Sequence, residues 1–555
     1  MFKNHPKGLI VAFFANMGER FGYYTMLAIF VLYIQAKFGF STAEAGSIYG
    51  IFLFGIYFLP LLGGYIADNL LGYGKTIALG TVIMFTGYGL LALPGMGIMM
   101  VYIALAVISL GTGFFKGNLQ ALVGSMYDDP RYSSNRDNAF NIFYMGINIG
   151  AFFAPSAAES IGNWVLSKKG FTYDSSIPHM AHQFLAGKLE DVTQLTQIAK
   201  TQMGAGFTDL TSFSNSYIET LSKSYNAGFA VAAASMVISF LIFISFRKYY
   251  KYADLTEKQK AKSAEHKDKI VVLTSAQIRE RLIALGLVFF VVIFFWMAFH
   301  QNGFTMTIFA RDYTQLGNVS PSTYVLFDLK QLLPILFAII GTILVFTGKA
   351  GKTKGIGAAV IVVSLALAYY TISSHTGDYT ITPQKFQHFN PIFIVFLTPL
   401  IISMFTALRR KGKEPSAPKK IGFGMLITAV GFGVLIASSL GLTSPGDLNG
   451  GVSENLISPY WLITCYLILT IAELFLSPIG ISFVSKVAPP KYKGMAQGGW
   501  FAATAIGNAA AGFIGFFWER IELWQFFTIL VVLCLLSAAF IFSVLKRLEK
   551  ATANS

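Results

Sequence analysis

Asn16-Met17-Gly18-Glu19-Arg20-Phe21-Gly22-Tyr23-Tyr24 sets an acid beside a base in the middle of an apolar segment, 8–35. That segment is long enough to cross a hydrocarbon core of about 30 Å as one helix. Ionised side chains at such depth are costly unless they face a protein interior or water. The offsets answer that cost: Asn16, Glu19, Arg20, Tyr23 and Tyr24 stand at i, i+3, i+4, i+7 and i+8, one helical face. The face is predicted to line a cavity; the alternative is an ion pair that only locks helices together. Three more ionisable side chains lie deep in apolar runs: Lys116 within 101–126, His300 within 280–309 and Glu473 within 458–485. Residues of this kind mark substrate or proton pathways. Neither HExxH nor a paired-Asp motif accompanies them, so an enzyme is not expected.

The elements that must hold these side chains are membrane helices. The 555 residues are 54% hydrophobic and 12% charged, with a mean hydropathy of +0.59. No soluble domain is that apolar, and runs of about 20 apolar residues recur to the end of the chain. The runs are continuous, not alternating, which excludes a β-barrel. After the basic start, 1–8, no small-residue cleavage site follows the first run, so that helix is expected to be retained and not to be a signal peptide. Cys465 and Cys534 fall inside apolar runs and imply neither a disulfide framework nor a metal site.

Spans are read at 8–35, 43–67, 75–96, 98–126, 138–161 and 226–246, then at 280–309, 323–347, 354–374, 389–408, 421–441, 458–485, 494–517 and 523–545. Fourteen crossings return both termini to one side. Basic residues separate by loop. Arg131 and Arg136, the 247–269 linker, Lys349, Lys352 and Lys354, the 409–420 loop, Lys486, Lys491 and Lys493, and Lys546 with Arg547 share the side of Lys3 and Lys7. The opposite short loops carry almost none; 441–456 has Asp447 and Glu454 and no base. By the positive-inside rule both termini are expected in the cytoplasm of a cell-membrane protein. The net charge of +15 then reports orientation, and nucleic acid is not an expected partner.

Two interruptions organise the chain. A polar outside loop, 163–225, has an amphipathic piece near 182–200 that is expected to form a small cap. A cytoplasmic linker, 247–279, is expected to be partly helical, with Lys258, Lys260, Lys262 and Glu265 as a solvated face. The expected layout is a six-helix unit over 1–246, the linker, and a second unit over 280–555 that contains an inserted hairpin near 323–374. Binding in such a layout falls between the units at the midplane.

The motifs narrow this further. Gly63-Gly64-Tyr65-Ile66-Ala67-Asp68-Asn69-Leu70-Leu71-Gly72-Tyr73-Gly74-Lys75-Thr76 joins the second and third spans, with Asp68 expected to meet the N-terminus of a neighbouring helix. It is similar to the loop motif of the major facilitator superfamily, with Asn69 where an Arg is usual and Lys75 left to supply the charge. Glu19-Arg20-Phe21-Gly22-Tyr23-Tyr24 closely resembles the second half of the ExxERFxYY motif of the proton-coupled oligopeptide transporters. Further matches to that family follow in order. They are Tyr57-Phe58-Leu59-Pro60, then Gly111-Thr112-Gly113-Phe114-Phe115-Lys116-Gly117-Asn118, which looks like GxGxxKPN with Gly117 for the proline. Next comes Phe143-Tyr144-Met145-Gly146-Ile147-Asn148-Ile149-Gly150, matching FYxxINxG. Phe295-Trp296 with Gln301, Phe389-Asn390-Pro391, Glu473-Leu474-Phe475-Leu476-Ser477-Pro478, Ala488-Pro489-Pro490 and Trp500 complete the set. One GxG is weak; an ordered set across nearly every core span is strong.

The resemblance implies an all-α membrane protein with the major facilitator fold: two six-helix bundles plus an extra hairpin, about 14 transmembrane helices. It implies symport of di- and tripeptides with protons by alternating access, the proton being the coupling ion and no cofactor being needed. The implied partners are peptide, protons and the lipid bilayer, with a monomer as the functional unit. The residue chemistry agrees. A zwitterionic peptide needs a cation for its carboxylate and an anion for its amine; Arg20 offers a bidentate fork, Lys116 a point charge, and Glu473 stands alone in the opposite half. Tyr24, Tyr57, Tyr144 and Asn148 are suited to orient the peptide backbone, and Asn390 and Ser477 are carried over with them. Trp296, Phe299 and Trp500 are suited to permissive side-chain pockets. Proton coupling is assigned to Glu19, Arg20, Lys116, His300 and Glu473.

Three departures stand out. The first Glu of ExxER is Asn16, the Arg that usually ends YYGMR is Leu27, and the acid before the Gln of the seventh family span is His300. An Arg–acid pair that would close the outer side is therefore missing at both positions. His300 is expected either to be a packed core histidine or to sense protons at the outer gate, since histidine titrates near physiological pH. The extra hairpin, expected to be peripheral, falls after Gln301 and not between the sixth and seventh spans. The nearest rival reading is the same fold carrying nitrate or a peptide-like organic anion; Glu473 speaks against a bare anion.

Overall fold

In hydrocarbon every backbone N–H and C=O must be bonded within the chain, which leaves helix as the form for these apolar runs. The computed structural model describes residues 4–254, 274–348, 350–448, 451–489 and 492–553. Thirteen helical segments among them are long and apolar enough to cross a membrane. The fourteenth expected span, 138–161, is also a helix but falls outside that set. It carries Asn138, Asn141, Asn148, Ser156, Glu159 and Asn163, polar side chains that make it less apolar than the other long helices.

The first half comprises α1 (Lys7–Phe38), α2 (Thr42–Phe58) continued by α3 (Pro60–Ile66), α4 (Tyr73–Ala92), α5 (Ile98–Met126) and α6 (Arg136–Ser167). The cap helices α7 (Ile177–Leu185) and α8 (Thr193–Met203) precede α9 (Leu210–Ser245). Local chemistry fixes the ends. α1 stops at Gly39, whose φ of 67° lets its N–H reach the Gln35 carbonyl. Ser41 and Glu44 form a capping box that starts α2. α1 packs on α6 and α9, and α4 on α5 and α9. Gly150 makes the α1–α6 approach possible, since a Cβ there would lie 2.5 Å from the Met17 carbonyl oxygen.

The second half begins with α10 (Ser275–Phe299), opened by a capping box of Thr274 and Gln277 and carried on by α11 (Thr305–Tyr313). α12 (Pro321–Val325) leads to α13 (Leu329–Thr347) and α14 (Gly351–Ser373). There follow α15 (Phe389–Arg410), α16 (Ala417–Ser439), α17 (Tyr460–Val487), α18 (Lys493–Ile514), α19 (Leu523–Ser543) and α20 (Leu545–Ala553). α16 packs on α17 and α19, α10 on α18, and α15 on α17. The halves meet where α2 lies along α18 and α6 along α15. Gly50 permits the first of these contacts: a Cβ there would come within 3.0 Å of the Ala509 carbonyl and of Gly512 Cα.

Several expectations are corrected. The last helix of the first half begins at Leu210, not 226, because Asp209 caps it and its first turns are polar enough to run on beyond an apolar zone. The amphipathic piece near 182–200 is two helices, α7 and α8, broken after Gly187 with its φ of 69°. α7 is pinned to α1 by His182, whose Nε2 donates to the Ala36 carbonyl at 2.8 Å. Asp68 meets the start of α4 only through the side chain of its first residue, accepting from Tyr73 Oη at 2.8 Å; the backbone of that first turn is bonded instead by Asp254, from the start of the linker, which accepts from Gly74 N–H at 2.8 Å. Lys258, Lys260, Lys262 and Glu265 lie outside the described residues. The hairpin of α13 and α14 packs on itself and on α12, and Phe346, Val362 and Tyr369 on its outer faces are exposed.

At the end remote from both termini the halves are tied together. Arg311 donates to the Gln35 side chain at 2.7 Å, Glu519 accepts from Thr42 N–H at 2.8 Å, and Lys385 pairs with Glu159 at 2.5 Å. Tyr49 Oη adds a bond to the His300 carbonyl at 3.2 Å.

Candidate functional site

α1 presents its polar face inward as its spacing requires. Glu19 is fully buried and Arg20 nearly so. The two form a bidentate pair: Arg20 Nε and Nη2 donate to the two carboxylate oxygens of Glu19, the second at 2.6 Å. The guanidinium also lies 4.9 Å from the Tyr23 ring centroid. This corrects the picture of Arg20 as an open fork, because two of its donor nitrogens are engaged by its own neighbour. Asn16, in place of a family acid, donates to the Phe143 carbonyl at 3.4 Å and so ties α1 to α6.

Lys116 has no carboxylate within ion-pair distance among the described residues. Its Nζ sits 3.5 Å from the centroid of the Tyr57 ring on α2, where the ring face attracts the ammonium. The rest of its motif is structural. Asn118 donates to the Gly63 carbonyl at 3.0 Å and the Phe114 carbonyl at 2.8 Å, which binds α5 to α3. On α6, Asn148 donates to the Tyr144 carbonyl at 3.1 Å, while Tyr144 keeps 39% of its surface accessible in mid-helix.

Across from these stands Glu473 on α17, 8% exposed. Asn390 of α15 donates to its Oε2 at 2.9 Å and to Thr470 Oγ1 at 3.1 Å. No cation lies within ion-pair distance of Glu473 among the described residues. Tyr24, Tyr57 and Tyr144, from three helices of the first half, all lie within electrostatic reach of Glu473 in the second. The structure therefore brings together Glu19, Arg20, Tyr24, Tyr57, Lys116, Tyr144, Asn390 and Glu473. Ser477, one turn beyond Glu473, is half-buried.

The aromatic residues divide. Trp296 packs with Phe299 and His300, ring centroids 5.6 and 5.2 Å apart, and its Nε1 is buried without a partner among the described residues. Trp500 is 5% exposed and its ring lies directly over Gly480, so it fills the gap between α18 and α17. His300 Nδ1 donates to the Trp296 carbonyl at 3.1 Å, and its ring stands edge-on to Tyr57 at 6.1 Å. His300 thus belongs with Tyr57 and within electrostatic reach of Lys116. Its side chain makes none of the bonds that tie the remote end shut; only its carbonyl does, to Tyr49. Leu27 is a buried core residue. Sequence reasoning missed Tyr49, Glu159 and Lys385; the last two are visible as lone charges, but nothing in the chain pairs them.

Comparison with known proteins fits this geometry. A family model described as the POT family matches residues 74–266 and 361–524. The chain is 26% identical over 540 residues to the peptide transporter YePEPT of Yersinia enterocolitica subsp. palearctica, covering 93% of this chain and 88% of that protein. It is 25% identical over 516 residues to a dipeptide and tripeptide permease B of Xenorhabdus bovienii, covering 92% and 87%. A crystal structure of a peptide transporter POT in complex with sulfate superposes with a TM-score of 0.67 at 23% identity, covering 99% of this chain and 96% of that one. That match carries the fold, the major facilitator arrangement of two helical bundles.

Proposed function

The chain belongs to the POT family, a family of multi-pass membrane transporters and not of enzymes, and from that premise we propose that it carries di- and tripeptides into the cell together with protons by alternating access. The observation that carries this reading is a pair of complementary charges. Lys116 in one half lies over the Tyr57 ring, Glu473 in the other is within electrostatic reach of that same tyrosine, and neither has an ion-pair partner among the described residues. A zwitterion supplies both missing partners at once: its carboxylate goes to Lys116 and its ammonium to Glu473. Arg20 adds field at the carboxylate end while its fork remains on Glu19. Tyr24, Tyr57, Tyr144 and Asn148 hold the peptide backbone, and Trp296 with Phe299 forms an apolar wall for side chains.

The same charges provide the coupling. A carboxyl group held in protein without a cation favours its neutral form, and an approaching cation or ammonium favours the anion. Binding of peptide at Glu473 and movement of Lys116 therefore shift protons, so protonation and rocking of the halves share one free energy. The basic loops on the side of the termini support a cytoplasmic position for that side by the positive-inside rule, and on that reading the end closed here is the outward one. A potential of 100 mV supplies about 2.3 kcal/mol per proton, enough for roughly fifty-fold accumulation of a net-neutral peptide at about 1.4 kcal/mol per decade.

Competition tests the substrate class. Uptake of labelled dialanine into proteoliposomes should be inhibited by trialanine and not by nitrate. Inhibition by nitrate with indifference to trialanine overturns the zwitterion reading in favour of an anion carrier.

A further inference from the structure

Among the contacts that tie the halves together at the outward end, one differs in kind. Arg311 already has a carboxylate in its own half, since its Nε and Nη2 donate to Asp312 at 2.6 and 2.9 Å, and it reaches across only to the neutral Gln35 amide. Glu519 reaches across to a backbone N–H. Neither contact divides two ionised side chains when the halves part. Glu159 of α6 and Lys385, in the turn before α15, do: Nζ lies 2.5 Å from Oε2, with the side chains 10% and 7% exposed. Thr382 donates to the other carboxylate oxygen at 2.8 Å, so the second half holds Glu159 through both oxygens.

The segment that carries Lys385 is itself fixed to the second half. Ile381 N–H donates to the Leu316 carbonyl at 2.8 Å, and Val319 N–H to the Tyr379 carbonyl at 3.0 Å. Beside the pair, His388 is fully buried between Phe152 of α6 and Phe327 of the second half, each ring 5.9 Å away. This aromatic layer keeps water from the ions while the end is closed. When the halves separate here, both ions return to water and the layer is divided.

From this geometry we infer that the Glu159–Lys385 pair is the latch of the outward gate, held in the inward-facing state and split once in every cycle, in a chain that lacks a charge pair at Leu27 and His300. The inference rests on the alternating-access reading but not on the identity of the substrate. The intact pair is close to neutral in energy, because its attraction is set against the cost of burying two ions. Removal of one partner is different: the remaining charge is unpaired only when the gate is closed, and water relieves it when the gate opens. Either single change should therefore shift the closed-to-open ratio toward open on the order of a hundredfold or more.

The test uses the full-length protein in nanodiscs with spin labels at Lys168→Cys and Asp378→Cys, exposed positions on opposite halves at this end. The native Cys465 and Cys534 are fully buried and stay unlabelled. Pulsed electron–electron resonance should give a dominant short distance in the parent. Glu159→Gln and Lys385→Met should each add a long-distance population. The exchanged pair Glu159→Lys with Lys385→Glu should return the short distance, and the doubly neutral Glu159→Gln with Lys385→Met should lie nearer the parent than Lys385→Met alone. Unchanged distances in both single variants overturn the latch, as does an exchanged pair that opens as far as the singles. Melting temperature separates loss of fold from opening. A parent that moves no peptide but shows the predicted distance shifts leaves the latch standing and removes the peptide reading instead.

Discussion

Glu473→Gln keeps the size and shape of the side chain and removes its charge. Asn390 Nδ2 donates to Glu473 Oε2 at 2.9 Å, a bond that the carbonyl oxygen of Gln accepts as well, so the packing of α15 on α17 is preserved. The loss falls on the substrate ammonium. A hydrogen bond to a charged group contributes about 1.5–3 kcal/mol, which is roughly tenfold to a hundredfold in affinity. With Glu473 only 8% exposed, water competes poorly and the upper part of that range applies. The assay is competition of unlabelled dialanine and N-acetyl-dialanine against a labelled peptide in parent and variant. Dialanine should weaken by roughly ten- to a hundredfold, while the acetylated peptide, which has no ammonium, should change by less than about threefold. Equal losses for the two would refute the assignment of the amine to Glu473.

The other predictions follow from named contacts. Lys116→Ala should abolish proton-driven accumulation and retain some peptide-for-peptide exchange, as measured in proteoliposomes with and without a pH gradient. Tyr57→Phe keeps the aromatic face under Lys116 and should lose only the hydroxyl's bond to the peptide backbone, weakening dialanine by roughly two- to tenfold, whereas Tyr57→Leu should also lose the ring contact, worth about 2 kcal/mol when desolvated, and slow uptake further by at least about tenfold. Asn118→Ala removes the bond from α5 to α3 while the Gly63 carbonyl keeps the Ala67 N–H, and should cost about 0.5–1.5 kcal/mol of stability, read as a lower melting temperature with peptide affinity unchanged. On the side of the termini, Glu414 lies between Arg409 at 2.5 Å and Lys420 at 2.6 Å, whose hydrogen bonds hold its pKa down at about 2. A depressed carboxyl stabilises above its unfolded value and loses that contribution as pH falls through the folded one. Hydrogen exchange in the 411–420 turn, corrected for intrinsic rate, should stay level from pH 7 to 5 and rise from about pH 4.5 toward 2.

The chain displayed its helices and its inward face plainly, because lipid permits few alternatives and the 3.6-residue period is strong. Asn16, Glu19, Arg20, Tyr23 and Tyr24 do share one inward face, and Lys116 and Glu473 do stand in opposite halves. What the sequence concealed were choices made between side chains. Adjacent helical residues do not normally face each other, so nothing in Glu19-Arg20 announced a bidentate pair that engages the fork. Asn118 and Trp500 sit in family motifs beside site residues, yet Asn118 bonds α5 to α3 and Trp500 packs on Gly480. The start of α9 was hidden because Ser212, Asn215 and Glu219 are polar, and a hydropathy reading ends where apolarity does. The Glu159–Lys385 pair needed the fold itself, since two charges far apart in the chain carry no local mark of each other.

On the proposed mechanism a zwitterionic peptide and a proton move together through the site between Lys116 and Glu473. The most direct test is uptake of labelled dialanine by purified protein in proteoliposomes, run as counterflow and then with an imposed acid-outside pH gradient. Saturable counterflow is expected without a gradient, and accumulation above the external concentration when the gradient is applied. Uptake no greater than in protein-free liposomes, or counterflow that the proton gradient leaves unchanged, would contradict this mechanism.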